Sequence, residues 1–159
     1  MNAKGAILLG IFLGLVALPS ESGAIAGITI KMGGSFIPNG SVPGGVIQVE
    51  VGPLSPFAEF FRRSGVTTVN TGAHLLLRLP APLVSPYAGL GGGLSRVAAS
   101  GASKTRVLAS ALVGADPKLP GTTSFFGQVK YMYTLGDGTG RLGIREVAIQ
   151  AGLRLYLGL

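Results

Sequence analysis

The chain has no cysteine and no tryptophan, and it has one histidine among its 159 residues. The absence of cysteine excludes disulfide scaffolds, thiolate metal sites and cysteine catalysis. Acidic residues are also scarce, since six of them oppose thirteen lysines and arginines, which gives a formal charge of +7. Because the basic residues are scattered along the chain, we expect no nucleic-acid partner. Attraction to an anionic membrane surface fits the same charge.

Long apolar runs are absent after the N-terminal region. The run GAILLGIFLGLVAL at 5–18 is shorter than the roughly 20 residues of a membrane-spanning helix. It follows the basic start MNAK and precedes Pro19 and small residues, which is typical of a cleaved secretory signal. We predict a signal peptide over 1–26, with cleavage after Ala24 or Ala26, and one domain over 27–159. An uncleaved anchor is the alternative, although no charged stop-transfer segment follows.

The C-terminal segment EVAIQAGLRLYLGL alternates between apolar and more polar residues over fourteen positions. A period of two predicts a β-strand, because successive side chains leave opposite faces of the pleat. Fourteen residues exceed the usual soluble strand of about 5 to 6 and suit a membrane-barrel strand, which needs about 9 to 11. The apolar set is predicted to face lipid. It comprises Val147, Ile149, Ala151, Leu153, Leu155, Leu157 and Leu159.

Seven further strand-like segments precede this one, separated by glycine, proline, asparagine and serine, and none has a helical period. Eight strands are the smallest usual number for a closed transmembrane barrel. We therefore predict an all-β fold, an eight-stranded antiparallel up-and-down barrel. Proline-containing turns at 53–56, 80–84 and 116–122 are expected on the periplasmic side, and glycine-rich loops at 37–45 and 136–143 on the other. The faces of the segments near 57–63 and 86–97 stay unassigned.

The polar residues of the alternating segments are predicted to point into the barrel. They are Thr29, Lys31, Gln48, Glu50, Asn70, His74, Arg78, Gln128, Lys130, Glu146, Gln150 and Arg154. An eight-stranded barrel is just wide enough for side chains to fill, and an interior with both signs of charge can neutralise itself through paired hydrogen bonds. The prediction is a plugged lumen, with an inward charge network that includes Glu50, Arg78, Glu146 and Arg154.

Several segments resemble the small bacterial outer-membrane β-barrel proteins, the porin-like group that includes the membrane domain of outer membrane protein A. They are the N-terminal signal, SPYAGLGGGL at 85–94, GQVKYMYTL at 127–135 and the ending AGLRLYLGL. The resemblance implies a location in the bacterial outer membrane and a strand opened by Pro86 and Tyr87 after a periplasmic turn. It also implies that the last strand is read by the assembly machinery. Where that family commonly ends in an aromatic residue, this chain has Leu159.

His74 is the one histidine on which a catalytic or metal site could depend. A lipid-deacylase pattern needs a serine two positions later, and that position holds Leu76. A closed metal shell needs more than one histidine when cysteine and clustered carboxylates are missing. We therefore expect no catalytic site and no metal, and we interpret His74 as an inward residue hydrogen-bonded within the lumen.

Two glycine-rich segments invite other interpretations. GLGGG at 89–93 lacks the third glycine and the helix of a nucleotide-binding fingerprint, and GDGTG at 136–140 has too few carboxylates for calcium. No cofactor is expected. Aromatic residues are predicted to form girdles at the bilayer boundaries, where the arginines next to Phe61 would contact headgroups. These aromatic residues are Phe60, Phe61, Tyr87, Tyr131 and Tyr133.

The leading hypothesis is a non-enzymatic integral outer-membrane barrel, a monomer with a structural or surface-interaction role and outer-membrane lipids as partners. One alternative is a secreted, soluble lipocalin-like barrel that binds a small apolar ligand, which predicts apolar faces turned inward. A second alternative is a lipid A-modifying enzyme centred on His74.

Overall fold

The computed structural model describes residues 27–135 and 143–158. They form eight strands: β1 (Ile28–Ile37), β2 (Val42–Val51), β3 (Leu54–Arg63), β4 (Val66–Arg78), β5 (Val84–Ala99), β6 (Ala102–Pro117), β7 (Thr123–Thr134) and β8 (Ile144–Leu157). Neighbours in sequence pair antiparallel, and β8 pairs with β1 to close the barrel. The predicted eight-stranded antiparallel meander is therefore confirmed. The predicted signal at 1–26, the turn around Asp137 and Leu159 lie outside the described residues.

The barrel has two distinct ends. The end where β1 begins and β8 finishes, here the termini end, also holds the connections at 52–53, 79–83 and 118–122. The opposite end, here the distal end, holds the connections at 38–41, 64–65 and 100–101, the end of β7 at Thr134 and the start of β8 at Ile144. The proline-containing turns thus share the termini end, as the predicted alternation requires.

The connections are shorter than the sequence suggests. The first loop, expected over 37–45, spans only 38–41, because β2 already begins at Val42. At the distal end, the pairs Ser64-Gly65 and Ser100-Gly101 both have positive φ at both residues. This is the type I′ geometry, which matches the twist of a two-residue hairpin. The segment 116–122 is partly strand, since β6 continues to Pro117.

The two faces of the wall have opposite character. Apolar side chains such as Phe60, Leu90 and Val113 point outward and are 58%, 64% and 60% exposed. Inside, Lys31 and Lys130 are completely buried. A soluble globular protein has the reverse distribution, because charged side chains are rarely buried in it. The large apolar stripes therefore face outward, whereas a lipocalin-like barrel would turn them inward.

The interior is itself divided along the barrel axis. Apolar side chains fill the distal part, whereas the middle and the termini end hold the polar and charged side chains together with a smaller apolar cluster of Leu76, Tyr87 and Leu112. The apolar cluster consists of Ile37, Val42, Phe57, Phe61, Leu108, Met132 and Ala148. Phe61 was expected in an outer aromatic girdle, and this prediction is wrong, since the ring is 2% exposed. Its neighbour Phe60 points outward, because the two residues alternate across the pleat.

Over residues 27–135 and 143–158, we find no helix long and apolar enough to cross a membrane.

Candidate functional site

Five strands bring charged side chains together inside the termini end. Lys31 Nζ lies 3.0 Å from Glu50 Oε1 and 2.9 Å from Asp116 Oδ1. Arg78 contacts the same two carboxylates, with Nη1 2.9 Å from Asp116 Oδ2 and Nη2 on Glu50 Oε2. Arg154 Nε lies 3.6 Å from Asp116 Oδ2. Each carboxylate is thus held between Lys31 and Arg78, and we call these five residues the charge cluster.

Tyr87 belongs to the interior beside the charge cluster. Its ring centroid lies 3.9 Å from Lys31 Nζ, and its hydroxyl donates a 2.8 Å hydrogen bond to Gln128 Oε1. Tyr87 is 3% exposed, so its predicted place in an outer girdle is wrong. The inward position opposite Tyr87 on β6 is Gly114, whose missing side chain leaves room for the ring. Exposed aromatics do occur outside, as with Tyr131 at 43%.

Three buried glutamines form a second layer above the charge cluster. Gln128 Nε2 donates to Gln48 Oε1 over 3.1 Å and to Gln150 Oε1 over 2.5 Å. Gln48 in turn donates to Glu50 over 3.4 Å. Gln150 Nε2 donates to Glu59 Oε1 over 2.8 Å. A continuous chain of polar contacts therefore runs from the charge cluster up to Glu59.

Glu59 and Lys130 form the next layer, nearer the distal end. Lys130 Nζ lies 2.6 Å from Glu59 Oε1 and 3.4 Å from the ring centroid of Phe57. Asn70 Nδ2 lies 3.4 Å from Glu59 Oε2. Because both charged groups are buried, the attraction between them acts without the screening that water gives a surface pair.

His74 lies in the middle of the lumen. Its Nε2 is 2.9 Å from Ser110 Oγ, and its ring stacks on Phe57 with centroids 4.4 Å apart. His74 and Ser110 are 1% and 8% exposed. The deacylase pattern requires a serine close to the histidine on the same strand, whereas the serine beside His74 in space is Ser110 on β6, 36 residues later.

The structure separates the predicted inward residues into two groups. Thr29 is buried, and ten more contribute to the layers described above: Lys31, Gln48, Glu50, Asn70, His74, Arg78, Gln128, Lys130, Gln150 and Arg154. Glu146 lies elsewhere, at the distal end, where it lines a cavity of about 330 Å³ together with Arg63 and Thr68. The predicted network of Glu50, Arg78, Glu146 and Arg154 is therefore corrected, since Glu146 and Glu50 occupy opposite ends of the barrel.

Two buried carboxylates that hold the interior together, Asp116 and Glu59, are not among the residues predicted from the sequence. Asp116 was assigned to a turn, although it has the same parity along β6 as the inward Ser110. Glu59 lies between Phe57 and Phe61 in a segment whose faces stayed unassigned. Asp116 is the next inward position after Gly114, so continuing the period-two pattern of β6 past Gly114 predicts it. Glu59 had no such signal, because both faces of its segment contain aromatic residues.

The outward stripe of β8 is exposed at most of its predicted positions. Val147, Ile149, Leu153 and Leu157 are 42%, 50%, 44% and 48% exposed. Leu155 is half-buried, and Leu159 lies outside the described residues. Within the described ranges, no group of three or more histidine, cysteine, aspartate or glutamate residues is placed to hold a metal ion.

The closed wall, the apolar exterior and the polar interior together define the architecture of an eight-stranded outer-membrane barrel. No protein-family model matches the chain, and no curated protein matches it. Solved structures of this architecture do match. Neisserial surface protein A (NspA) shares 14% identity with a TM-score of 0.55, covering 81% of this chain and 95% of that one.

Two further structures agree. The N-terminal β-barrel domain of Pseudomonas aeruginosa OprF shares 13% identity with a TM-score of 0.58, covering 82% of this chain and 98% of that one. A de novo designed transmembrane β-barrel shares 10% identity with a TM-score of 0.52, covering 87% of this chain and all of that one. At these identities the likeness confirms the fold that the sequence resemblance implies.

Proposed function

We propose that the protein is an integral β-barrel of the bacterial outer membrane, with a structural or surface-interaction role and a lumen closed by its own side chains. One observation carries this proposal: the wall exposes Phe60, Leu90 and Val113 while it buries Lys31 and Lys130 completely. In water this arrangement loses hydrophobic burial and pays for desolvated charge, whereas in a bilayer the apolar exterior is solvated by lipid.

The first experiment measures where the protein goes and whether it folds there. We expect recovery in the outer-membrane fraction and heat-modifiable migration on a gel, because a closed barrel keeps its shape in detergent until it is boiled. We also propose that a cleaved signal over 1–26 directs export. We further propose that the assembly machinery recognises the alternating apolar residues of the last strand during insertion. A mature protein that stays in solution without detergent would contradict the proposal.

The layered polar interior supports a closed lumen. The chain of contacts from Glu50 through Gln48, Gln128 and Gln150 to Glu59 leaves these amides bonded to one another, in place of water. We therefore expect planar bilayers containing the purified protein to show no stepwise conductance. A wild-type protein with discrete, reproducible channels would show that the lumen is open.

The pairing of His74 with Ser110 favours one alternative, a lipid-modifying hydrolase, because a histidine beside a serine hydroxyl is part of a nucleophilic site. Burial supports a structural role, since both side chains lie inside the barrel and an acyl chain would have to enter the lumen to reach them. We expect the same lipid A species in cells that express the wild type and His74→Ala, at matched amounts of folded barrel. A modified lipid that depends on His74 would make the protein an enzyme.

A further inference from the structure

The outward face of the barrel is charged at one end only. Among the described strand residues, three charged side chains point outward: Arg62 on β3, Arg96 on β5 and Arg145 on β8. All are arginines, all are exposed, and all lie at the distal end. Each lies two positions from an outward apolar residue of its own strand. These apolar residues are Phe60, Leu94 and Val147.

The termini end differs. The outward positions at that end of the strands are uncharged, and most are apolar, as with Val51, Leu54, Leu77 and Leu157. Lys118, in the turn after β6, is an exposed cation at that end. The outward apolar residues of the strands, here the apolar band, are therefore bordered by arginines at the distal end alone. This difference between the two ends suits a leaflet with strongly anionic headgroups on the distal side.

One of the three arginines, Arg96, lines a groove, and a second, Arg62, lies on the strand next to the groove residue Thr67. Arg62 pairs directly with Thr67 on β4, and Thr67 pairs with Ala98, two positions from Arg96 on β5. The groove holds about 410 Å³ between the hairpin tips at 64–65 and 100–101, and its lining includes Thr67, Arg96 and Ser103. Arg96 Nη2 donates a 3.3 Å hydrogen bond to Ser103 Oγ, which holds the guanidinium beside a second groove residue.

We propose that this groove binds the phosphate of an anionic lipid headgroup, with Arg62 and Arg96 as the ionic partners and Thr67 and Ser103 as hydroxyl donors. Arginine matches phosphate geometry because its planar guanidinium donates two parallel hydrogen bonds. A lipid fits better than a soluble anion, since the groove opens on the outward face just beyond the apolar band, along which acyl chains would lie. The inference rests on the proposed function, which places that face in a membrane.

Arg145 provides a matched control within the same chain. It is also an outward, exposed arginine at the distal end, but it lies on β8 against Tyr133, 5.8 Å from the ring centroid, and outside the groove. General attraction to an anionic surface would depend on Arg145 as much as on Arg96. A built headgroup site would depend on Arg62 and Arg96 alone.

The experiment is a lipid titration of the folded, full-length barrel in detergent, with bound lipid counted by native mass spectrometry. The probe is phosphatidic acid, and phosphatidylcholine with the same acyl chains is the reference lipid. We expect Arg96→Gln and Arg62→Gln each to weaken phosphatidic acid binding about tenfold, the scale of one lost charge-assisted hydrogen bond. Arg96→Lys should fall between, while Arg145→Gln and Lys118→Gln should stay within about twofold of the wild type.

The proposal is overturned if Arg145→Gln loses as much binding as Arg96→Gln, or if both lipids bind equally. Inorganic phosphate that competes at the affinity of the lipid would also overturn it, because a free anion would then be the ligand. Heat-modifiable migration is recorded for every variant, and we expect the substitutions of these exposed arginines to leave it unchanged. A wild type that fails to show the folded form would instead count against the membrane barrel itself.

Discussion

His74 on β4 reaches Ser110 on β6 although β5 lies between their strands, and the two side chains meet across Gly91. Gly91 pairs with both residues, and a Cβ at this position would collide with the Ala73 carbonyl and the His74 ring. The same arrangement recurs where Tyr87 on β5 reaches Gln128 on β7 across Gly114 of β6. Inward glycines thus let side chains from alternate strands bond inside a narrow lumen.

Gly114→Ala should destabilise the barrel, and Gly127→Ala on the neighbouring strand should not. A Cβ at Gly114 would lie 2.5 Å from Tyr87 Cζ and 2.7 Å from Gln128 Cβ, whereas one at Gly127 would meet nothing within 4 Å. Overpacking of this kind costs about 1 to 3 kcal/mol, because the ring must leave its hydrogen bond. The measurement is the free energy of unfolding in urea from lipid vesicles, followed by the heat-modifiable gel shift.

Gly127→Ala should change that free energy by less than about 0.5 kcal/mol, since its new methyl group points outward into open space. Equal losses for the two alanine variants would mean that glycine matters here for strand conformation, and that the space it leaves for Tyr87 does not.

Lys130→Met should be strongly destabilising. It removes the 2.6 Å partner of Glu59 and leaves a carboxylate that is 2% exposed with amide donors alone. Breaking one side of a buried ion pair costs about 3 to 5 kcal/mol. The double variant Glu59→Leu with Lys130→Met should recover part of this loss in the same vesicle unfolding assay, because no unpaired charge remains. A double variant no more stable than Lys130→Met alone would argue against the pair as the source of the loss.

Within the charge cluster, Lys31→Met should cost more stability than Arg154→Leu. Lys31 is completely buried and touches both carboxylates, whereas Arg154 is 23% exposed and lies 3.6 Å from Asp116 alone. After Arg154→Leu, Asp116 keeps Lys31 and Arg78 as partners. We expect a loss of about 3 to 5 kcal/mol for Lys31→Met and at most about 1 kcal/mol for Arg154→Leu. If urea unfolding showed the larger loss for Arg154→Leu, Arg154 and not Lys31 would be the main ionic partner of Asp116.

Alternation along the chain was enough to predict the barrel, its strand number and the inward face of most strands. Lys31, Gln48 and Gln150 face inward because each sits between apolar neighbours that cannot be buried on the same side. The alternation does not show, however, how far along the barrel axis each inward side chain lies. Glu146 has the correct parity and still lies at the opposite end from Glu50.

The sequence also did not predict which side chains bond to each other inside the lumen. It depends on which strands face each other across the closed barrel and on where glycine leaves space. Tyr87 shows this limit, because an aromatic residue after a proline turn suits a boundary girdle, and only the pairing with Gly114 shows room for it inside. Asp116 was missed for a related reason, since a proline that follows an aspartate predicts a turn, and here the strand continues through both.

The depth of the outward stripe on β8 gives the sharpest test of the membrane assignment. Leu153 and Leu157 point outward and are 44% and 48% exposed, so they differ mainly in position along the strand. Leu153 lies within the outward apolar stripe, and Leu157 ends β8 at the termini end. In a bilayer, Leu153→Arg should cost about 2 to 4 kcal/mol, and Leu157→Arg at most about 1 kcal/mol, because the penalty for arginine falls towards the interface. In water both exposed substitutions would be nearly neutral. Free energies of unfolding measured in vesicles decide between these cases. If the two arginine variants were equally stable, the outward stripe of β8 would not face lipid, and the membrane assignment of the barrel would be wrong.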